Sequence, residues 1–185
     1  GMKGTFMDGR LRLNAAYYDY SIEGFQSKWD NVSAREYTAT GAGNVVQVMG
    51  GIFTNNDASI SGIDLEYAYV VSADLTLGGS YTSTDSEYDA GSVGYANNPA
   101  YTGYGAATMD VSGTPVSDAA ESSLNFYLDH TVASYWGGER YTRYNVSWRD
   151  ERTSAINADI KIPALYLANI IVGWKSGYGV WDASV

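Results

Sequence analysis

Residues 59–71 read SISGIDLEYAYVV, with Ser59, Ser61, Ile63, Leu65, Tyr67, Tyr69 and Val71 at the odd positions and Gly62, Asp64, Glu66 and Ala68 between them. Successive side chains of a strand point to opposite faces, so the segment carries one apolar, aromatic face and one face with two acids. No stretch of the chain approaches the roughly 20 consecutive apolar residues of a membrane helix. The apolar face must therefore meet either a second sheet or, across a strand, lipid.

Period-2 patterning and turn residues predict eight strands at about residues 2–7, 11–25, 59–71, 75–85, 122–132, 140–149, 164–174 and 179–185, and no helix of useful length. Asp8-Gly9 is a strong two-residue hairpin signal and sets Phe6 opposite Leu11 and Thr5 opposite Arg12. The connections alternate in length: a tight turn, residues 26–58, a short turn, residues 86–121, a turn near 135–138, the medium loop 150–162, and a tight Ser-Gly-Tyr turn. A sandwich has no reason to gather its long loops at one end. An outer-membrane barrel does, because its turns are short on the periplasmic side and its loops long outside. The apolar faces also end in Tyr17, Tyr18, Tyr20, Tyr67, Tyr69 and Trp148, as aromatic girdles do.

Composition agrees with β-structure at a wet boundary: 17 Tyr and 5 Trp against 4 Phe, with 21 Gly and 3 Pro, at a mean hydropathy of -0.23. With 21 acids against 11 bases the net charge is -10, which excludes the basic footprint of a nucleic-acid binder. The absence of cysteine excludes thiolate zinc sites and Cys nucleophiles. The first residues, GMKGTFMDGR, lack the apolar run of a signal peptide.

The fold class expected is thus all-β: an antiparallel up-and-down transmembrane β-barrel segment, with residues 1–185 part of one barrel domain. The first strand is shorter than the roughly 9–11 residues that cross a bilayer, and the last stops mid-pattern. A sheet with two open edges cannot sit in lipid, so the barrel is expected to be incomplete, a contiguous piece of a larger one.

On the polar faces, Asp64 and Glu66 are candidates for the lumen wall, facing a plug or a cationic ligand; a lumen face has to be polar in any case, and no partner base makes them a catalytic pair. Asp129, Arg143 and Arg149 are expected beside them, with Arg140 and Arg152 flanking, as a ladder balancing the acids or as bidentate partners for an anion. Loop 86–121 holds Tyr88, Tyr95, Tyr101 and Tyr104 among five glycines, with acids and no Lys or Arg. Such loops make adaptable contact surface, so these four tyrosines are the ligand-contact candidates. The loop lacks calcium-loop spacing; His130, the single histidine, cannot make a metal site; and Gly41–Val46 is not a phosphate loop. The sequons at Asn31 and Asn145 carry no meaning in a bacterial outer membrane. No catalytic residue, metal or cofactor is called for.

In order along the chain, GMKGTFMDGRLRLNAAYYDYSIEGFQ, NNDASISGIDLEY, LTLGGSYTSTDSEY and IPALYLANIIVGW resemble the C-terminal part of the barrel of a TonB-dependent outer-membrane receptor. The resemblance spans nearly the whole chain. It implies an outer-membrane location, a lipid bilayer around the wall, a plug domain in the same parent chain, an energising periplasmic TonB protein and a small-molecule nutrient as cargo. The plug, the energising box and a final strand ending in an aromatic are not in the sequence, so any transport belongs to the parent protein. Three readings stand at this point: an importer segment, a complete eight-stranded barrel with a structural or adhesive role, and a soluble β-sandwich binding through its tyrosine-rich loops.

Overall fold

The computed structural model describes residues 1–38, 41–48, 51–116, 118–154, 160–177 and 182–184. Among them are fifteen strands and no helix: β1 (Met2–Phe6), β2 (Leu11–Trp29), β3 (Val32–Thr38), β4 (Gly41–Val48), β5 (Ile52–Ser72), β6 (Leu75–Tyr88), β7 (Val93–Tyr95), β8 (Gly105–Ala106), β9 (Thr108–Asp110), β10 (Ser122–Ala133), β11 (Glu139–Arg149), β12 (Arg152–Thr153), β13 (Lys161–Ile162), β14 (Leu165–Lys175) and β15 (Asp182–Ser184). Eight form one antiparallel meander in the order β1-β2-β5-β6-β10-β11-β14-β15. The meander is open, with β1 and β15 at its edges. The eighth predicted strand is seen as Asp182–Ser184 against Gly173–Lys175, and the rest of it lies outside the described residues.

The first hairpin has the register that its sequence dictates, Phe6 opposite Leu11 and Thr5 opposite Arg12. Asp8 and Gly9 take φ of 55° and 89°, the left-handed values that let a tight turn follow the strand twist, and Arg10 N–H closes it on the Met7 carbonyl at 3.2 Å.

Register carries the apolar face across the sheet in rows. One row is Leu13, Tyr67, Gly79, Phe126, Val146 and Ala168, and the next toward the short turns is Leu11, Tyr69, Leu77, Leu128, Tyr144 and Ile170. Toward the long loops comes Ala15, Leu65, Tyr81, Leu124, Trp148 and Tyr166, with the last two rings 6.3 Å apart. Two rows beyond Leu65, Asp19, Ser61 and Asp85 lie side by side on the same face, so charge begins where the aromatics stop. None of this face is packed as a core would be. Tyr17 is 65% exposed, Ile170 63% and Tyr166 72%; Leu65 is exposed, and Tyr67 and Leu77 are half-buried between ladder neighbours. The sandwich reading required these faces to meet each other, and among the described residues no second layer covers the large sheet.

The buried cluster lies instead beyond the loop-side ends of the strands. Trp29, Val32, Ala58, Tyr88, Val111 and Val116 form it, with Phe25, Val48, Ile52, Tyr95, Ala106 and Met109 packed around. Connection 26–58, read from sequence as loop, is here mostly strand. The β2–β5 ladder continues past a bulge between Ile22 and Phe25, where Gly24 has φ 69°, to Trp29 opposite Ile52, and β3 and β4 form a hairpin beyond it. Connection 86–121 likewise begins with β6 running to Tyr88 and then gives β7, β8 and β9. Strands whose two faces do not meet opposite media need no alternation, so the period that marked the large sheet is missing from them. The glycine-rich Gly41–Val46 is part of β4.

Two tyrosines on the face opposite the apolar rows lie over glycines of the neighbouring strand. Tyr127 covers Gly78, where a Cβ would be 2.5 Å from its ring, and Tyr18 covers Gly62 while its hydroxyl meets Thr84 Oγ1 at 2.8 Å. A side chain at either glycine would push the ring off the sheet. Gly78→Val is therefore expected to destabilise the sheet by about 1–3 kcal/mol, read as a lowered denaturant midpoint in lipid vesicles.

Candidate functional site

The second face of the meander is mostly polar as far as β11. Its rows run Asn14, Glu66, Ser80, Asn125, Ser147 and Leu167; then Arg12, Ala68, Gly78, Tyr127, Asn145 and Asn169; then Val70, Thr76, Asp129, Arg143 and Ile171. Asp64 and Glu66 share this face but not a partner. Asp64 accepts from Thr82 Oγ1 at 2.8 Å, and Glu66 accepts from Asn14 Nδ2 at 3.1 Å. Arg143 pairs with Asp129 on the adjacent strand at 3.3 Å, its guanidinium 5.5 Å from the centre of the Tyr141 ring. Arg149 sits between Ser123 and Leu165. Within the sheet, Asp64 and Glu66 bond to neutral neighbours and Arg143 to Asp129, with β6 and β10 lying between β5 and β11. Arg140 falls on the opposite, apolar face beside Val132 and Trp174, and Arg152 lies among the loops. Sequence reasoning also missed that β14 brings Leu165, Leu167 and Ile171, all exposed, onto the polar face. Its sequence is apolar at nearly every position, so alternation gives no sign of two faces.

The four loop tyrosines have separate fates. Tyr88 is 2% exposed, its hydroxyl 2.6 Å from Ser27 Oγ and its ring 6.2 Å from Phe25, so it holds the loop core together and offers no contact surface. Tyr95 packs half-buried against that core. Tyr101 donates from its hydroxyl to the Tyr104 carbonyl at 3.1 Å, and Tyr104 alone of the four projects well into solvent, 62% exposed.

The long loops are joined into one folded body. β3 pairs with both β4 and β8, Ser33 N–H donates to the Ala96 carbonyl and Ala107 N–H to the Ser33 carbonyl, and Arg35 donates to the Tyr101 carbonyl at 2.8 Å. The Asn56 side chain acts as a length of strand: its Nδ2 donates to the Val93 carbonyl and its Oδ1 accepts the Val93 N–H, both at 3.0 Å. Loop 150–162 is tied on through Asp118, whose N–H donates to the Thr153 carbonyl at 2.8 Å and whose carboxylate meets Arg152 at 3.2 Å. The Ser112 hydroxyl and N–H hold the Asp110 carboxyl below its ordinary range, and Glu151, 2.8 Å away, raises Lys161 above its own. Among the described residues, no group of three or more His, Asp or Glu is placed to hold a metal ion.

An open meander with a bare apolar face, a polar reverse and folded long loops at one end is the arrangement of a membrane barrel wall. A family model described as TonB dependent receptor-like, beta-barrel matches residues 1–185. The chain belongs to the TonB-dependent receptor β-barrel family. None of the curated proteins matches it. The family is one of Gram-negative outer-membrane receptors and transporters.

Two measurements follow. Tyr88→Phe leaves Ser27, 8% exposed, without its partner and is expected to weaken the loop body by about 1–3 kcal/mol, read as faster amide exchange in residues 86–116 with the wall unchanged. Asp129 and Arg143 are both half-exposed, so a double-mutant cycle with Asp129→Asn and Arg143→Gln is expected to give a coupling of no more than about 1 kcal/mol.

Proposed function

We propose that this chain forms part of the wall and the outer loops of a receptor that imports a scarce nutrient across the outer membrane, driven by an energised periplasmic TonB protein. The observation that carries the reading is the uncovered apolar face on an up-and-down meander whose long connections fold together at one end. A bare face of this extent has no place in water, and lipid is the solvent that suits it. The polar face, with Asp64, Glu66, Asp129, Arg143 and Arg149, then lines the lumen, where it meets a plug domain of the same parent chain. Tyr104 is the loop residue set to touch cargo. The cargo belongs to the classes such receptors carry, an iron–siderophore chelate, cobalamin or a glycan. Loop 86–121, with Glu87, Asp89, Asp110, Asp118 and Glu121 and no Lys or Arg, disfavours strongly anionic ligands among them.

An open sheet with β1 and β15 unpaired to each other does not suit the alternative of a self-contained eight-stranded barrel. The test is uptake by cells carrying the full receptor. Accumulation of the nutrient is expected to stop when the energising protein is deleted, and to fall when Tyr104 is replaced by Ala while the barrel remains in the membrane. Accumulation that proceeds unchanged without the energising protein would overturn the proposal.

A further inference from the structure

Arg149 ends β11 on the polar face, at the end of the sheet nearest the long loops, and among the described residues no hydrogen bond or ion pair engages its side chain. It borders a cavity of about 290 Å³ whose other walls on this face are Ser80, Ser123, Asn125, Ser147 and Leu165. The registers set these residues in two adjacent rows, Ser80, Asn125 and Ser147 in one and Ser123, Arg149 and Leu165 in the next. Asn125 exchanges amide hydrogen bonds with Asn145 at 3.5 Å. The hydroxyls of Ser80, Ser123 and Ser147, like the guanidinium, have no side-chain or backbone partner among the described residues. Four uncommitted donor groups thus converge on one cavity.

The neighbouring acids are spent elsewhere. Asp64 stands in the row of Arg149 but three strands away, about 14 Å at the usual strand spacing, and it accepts from Thr82. Beyond the strand end, Glu151 lies 2.8 Å from Lys161 and raises its pKa, with Glu121 and Asp150 adding to the effect.

We infer that this cavity is a seat for the carboxylate of a small molecule that carries it on an apolar body, with Arg149 as the ion-pair partner, the serine hydroxyls as further donors and Leu165 against the apolar part. The planar fork of a guanidinium matches the two oxygens of a carboxylate. Leu165, 45% exposed, is next to Arg149 in its row, and Leu167, 51% exposed, stands beside Ser147, so an otherwise polar face turns apolar where the cation sits. The volume lies at the low end for ligand pockets, enough for one ring or short chain and too small for a whole chelate or oligosaccharide. Charge selects a single carboxylate. One unspent cation balances it, while the acids of loop 86–121, which has no Lys or Arg, repel phosphates and polyanions.

The inference rests on the importer reading only in placing this face toward the lumen. Benzoate is the probe, with benzyl alcohol as its uncharged control, each titrated into the purified full receptor in detergent and followed by saturation-transfer NMR. Benzoate is expected to bind, and benzyl alcohol to bind at least about tenfold more weakly. Arg149→Gln is expected to weaken benzoate at least about tenfold, and Arg149→Lys, which keeps the charge without the fork, to recover part of that loss. Benzoate binding unchanged in Arg149→Gln overturns the seat, and equal binding of benzyl alcohol overturns the choice of a carboxylate. Absence of benzoate binding overturns it as well, and a melting midpoint lowered by Arg149→Gln would then assign the cation to a carboxylate of the parent chain itself. Binding is read at equilibrium without the energising protein, so uptake that proceeds without that protein overturns the importer reading and leaves the seat standing.

Discussion

Inside a bilayer no water is present to satisfy a backbone N–H or C=O, and each unpaired group costs several kcal/mol. The rest of this structure depends on that constraint. It requires wall strands to be laddered on both sides, which among the described residues β5, β6, β10 and β11 largely achieve by one-to-one pairing, with irregularities between Ile22 and Phe25 in the β2–β5 ladder and between Val70 and Ser72 in the β5–β6 ladder. Once the strands are laddered, side-chain alternation does the remainder. Odd residues of β5 go to one medium and even residues to the other, and a slip of one residue would exchange Leu65 for Glu66. The glycines under Tyr127 and Tyr18 belong to the same logic, since they let a ring lie flat on the polar face without disturbing the ladder.

A consequence is that burial is inverted relative to a soluble domain. The wall keeps its apolar residues on the outside, where lipid is the solvent, and the enclosed cluster of Trp29, Val32, Tyr88, Val111 and Val116 lies in the loops, where water is. Loops that carry their own core and are cross-paired by Ser33, Asn56 and Asp118 form a folded body with a preformed surface.

How much of this the sequence showed depends on which solvent each face meets. The wall was legible because lipid on one side and water on the other impose opposite demands on adjacent residues: the β5 and β6 faces and the eight-strand meander followed from period 2, and the Phe6–Leu11 pairing from the Asp8-Gly9 turn. Beyond Phe25 and before Ser59 both faces of the β2–β5 ladder meet water or the loop core, the period fades, and strand was read as loop. Tyr88 was read as a contact because density of tyrosine and glycine gives no clue to which ring turns inward; its partner Ser27 is 61 residues away. The charged residues show a different gap. Asp64, Glu66, Asp129 and Arg143 share one face, but which strand stands next to which decides who pairs: Arg143 meets Asp129 of β10, while β6 and β10 stand between β11 and the two acids of β5.

The claim that the two faces meet two different media is tested most directly on adjacent residues of one strand. Phe126 and Asn125 lie side by side in β10, one on each face. In vesicles, Phe126→Arg should destabilise the full receptor by about 2–4 kcal/mol and Asn125→Arg by about 0–1 kcal/mol. Equal losses at the two positions, or a greater loss at Asn125, would contradict it.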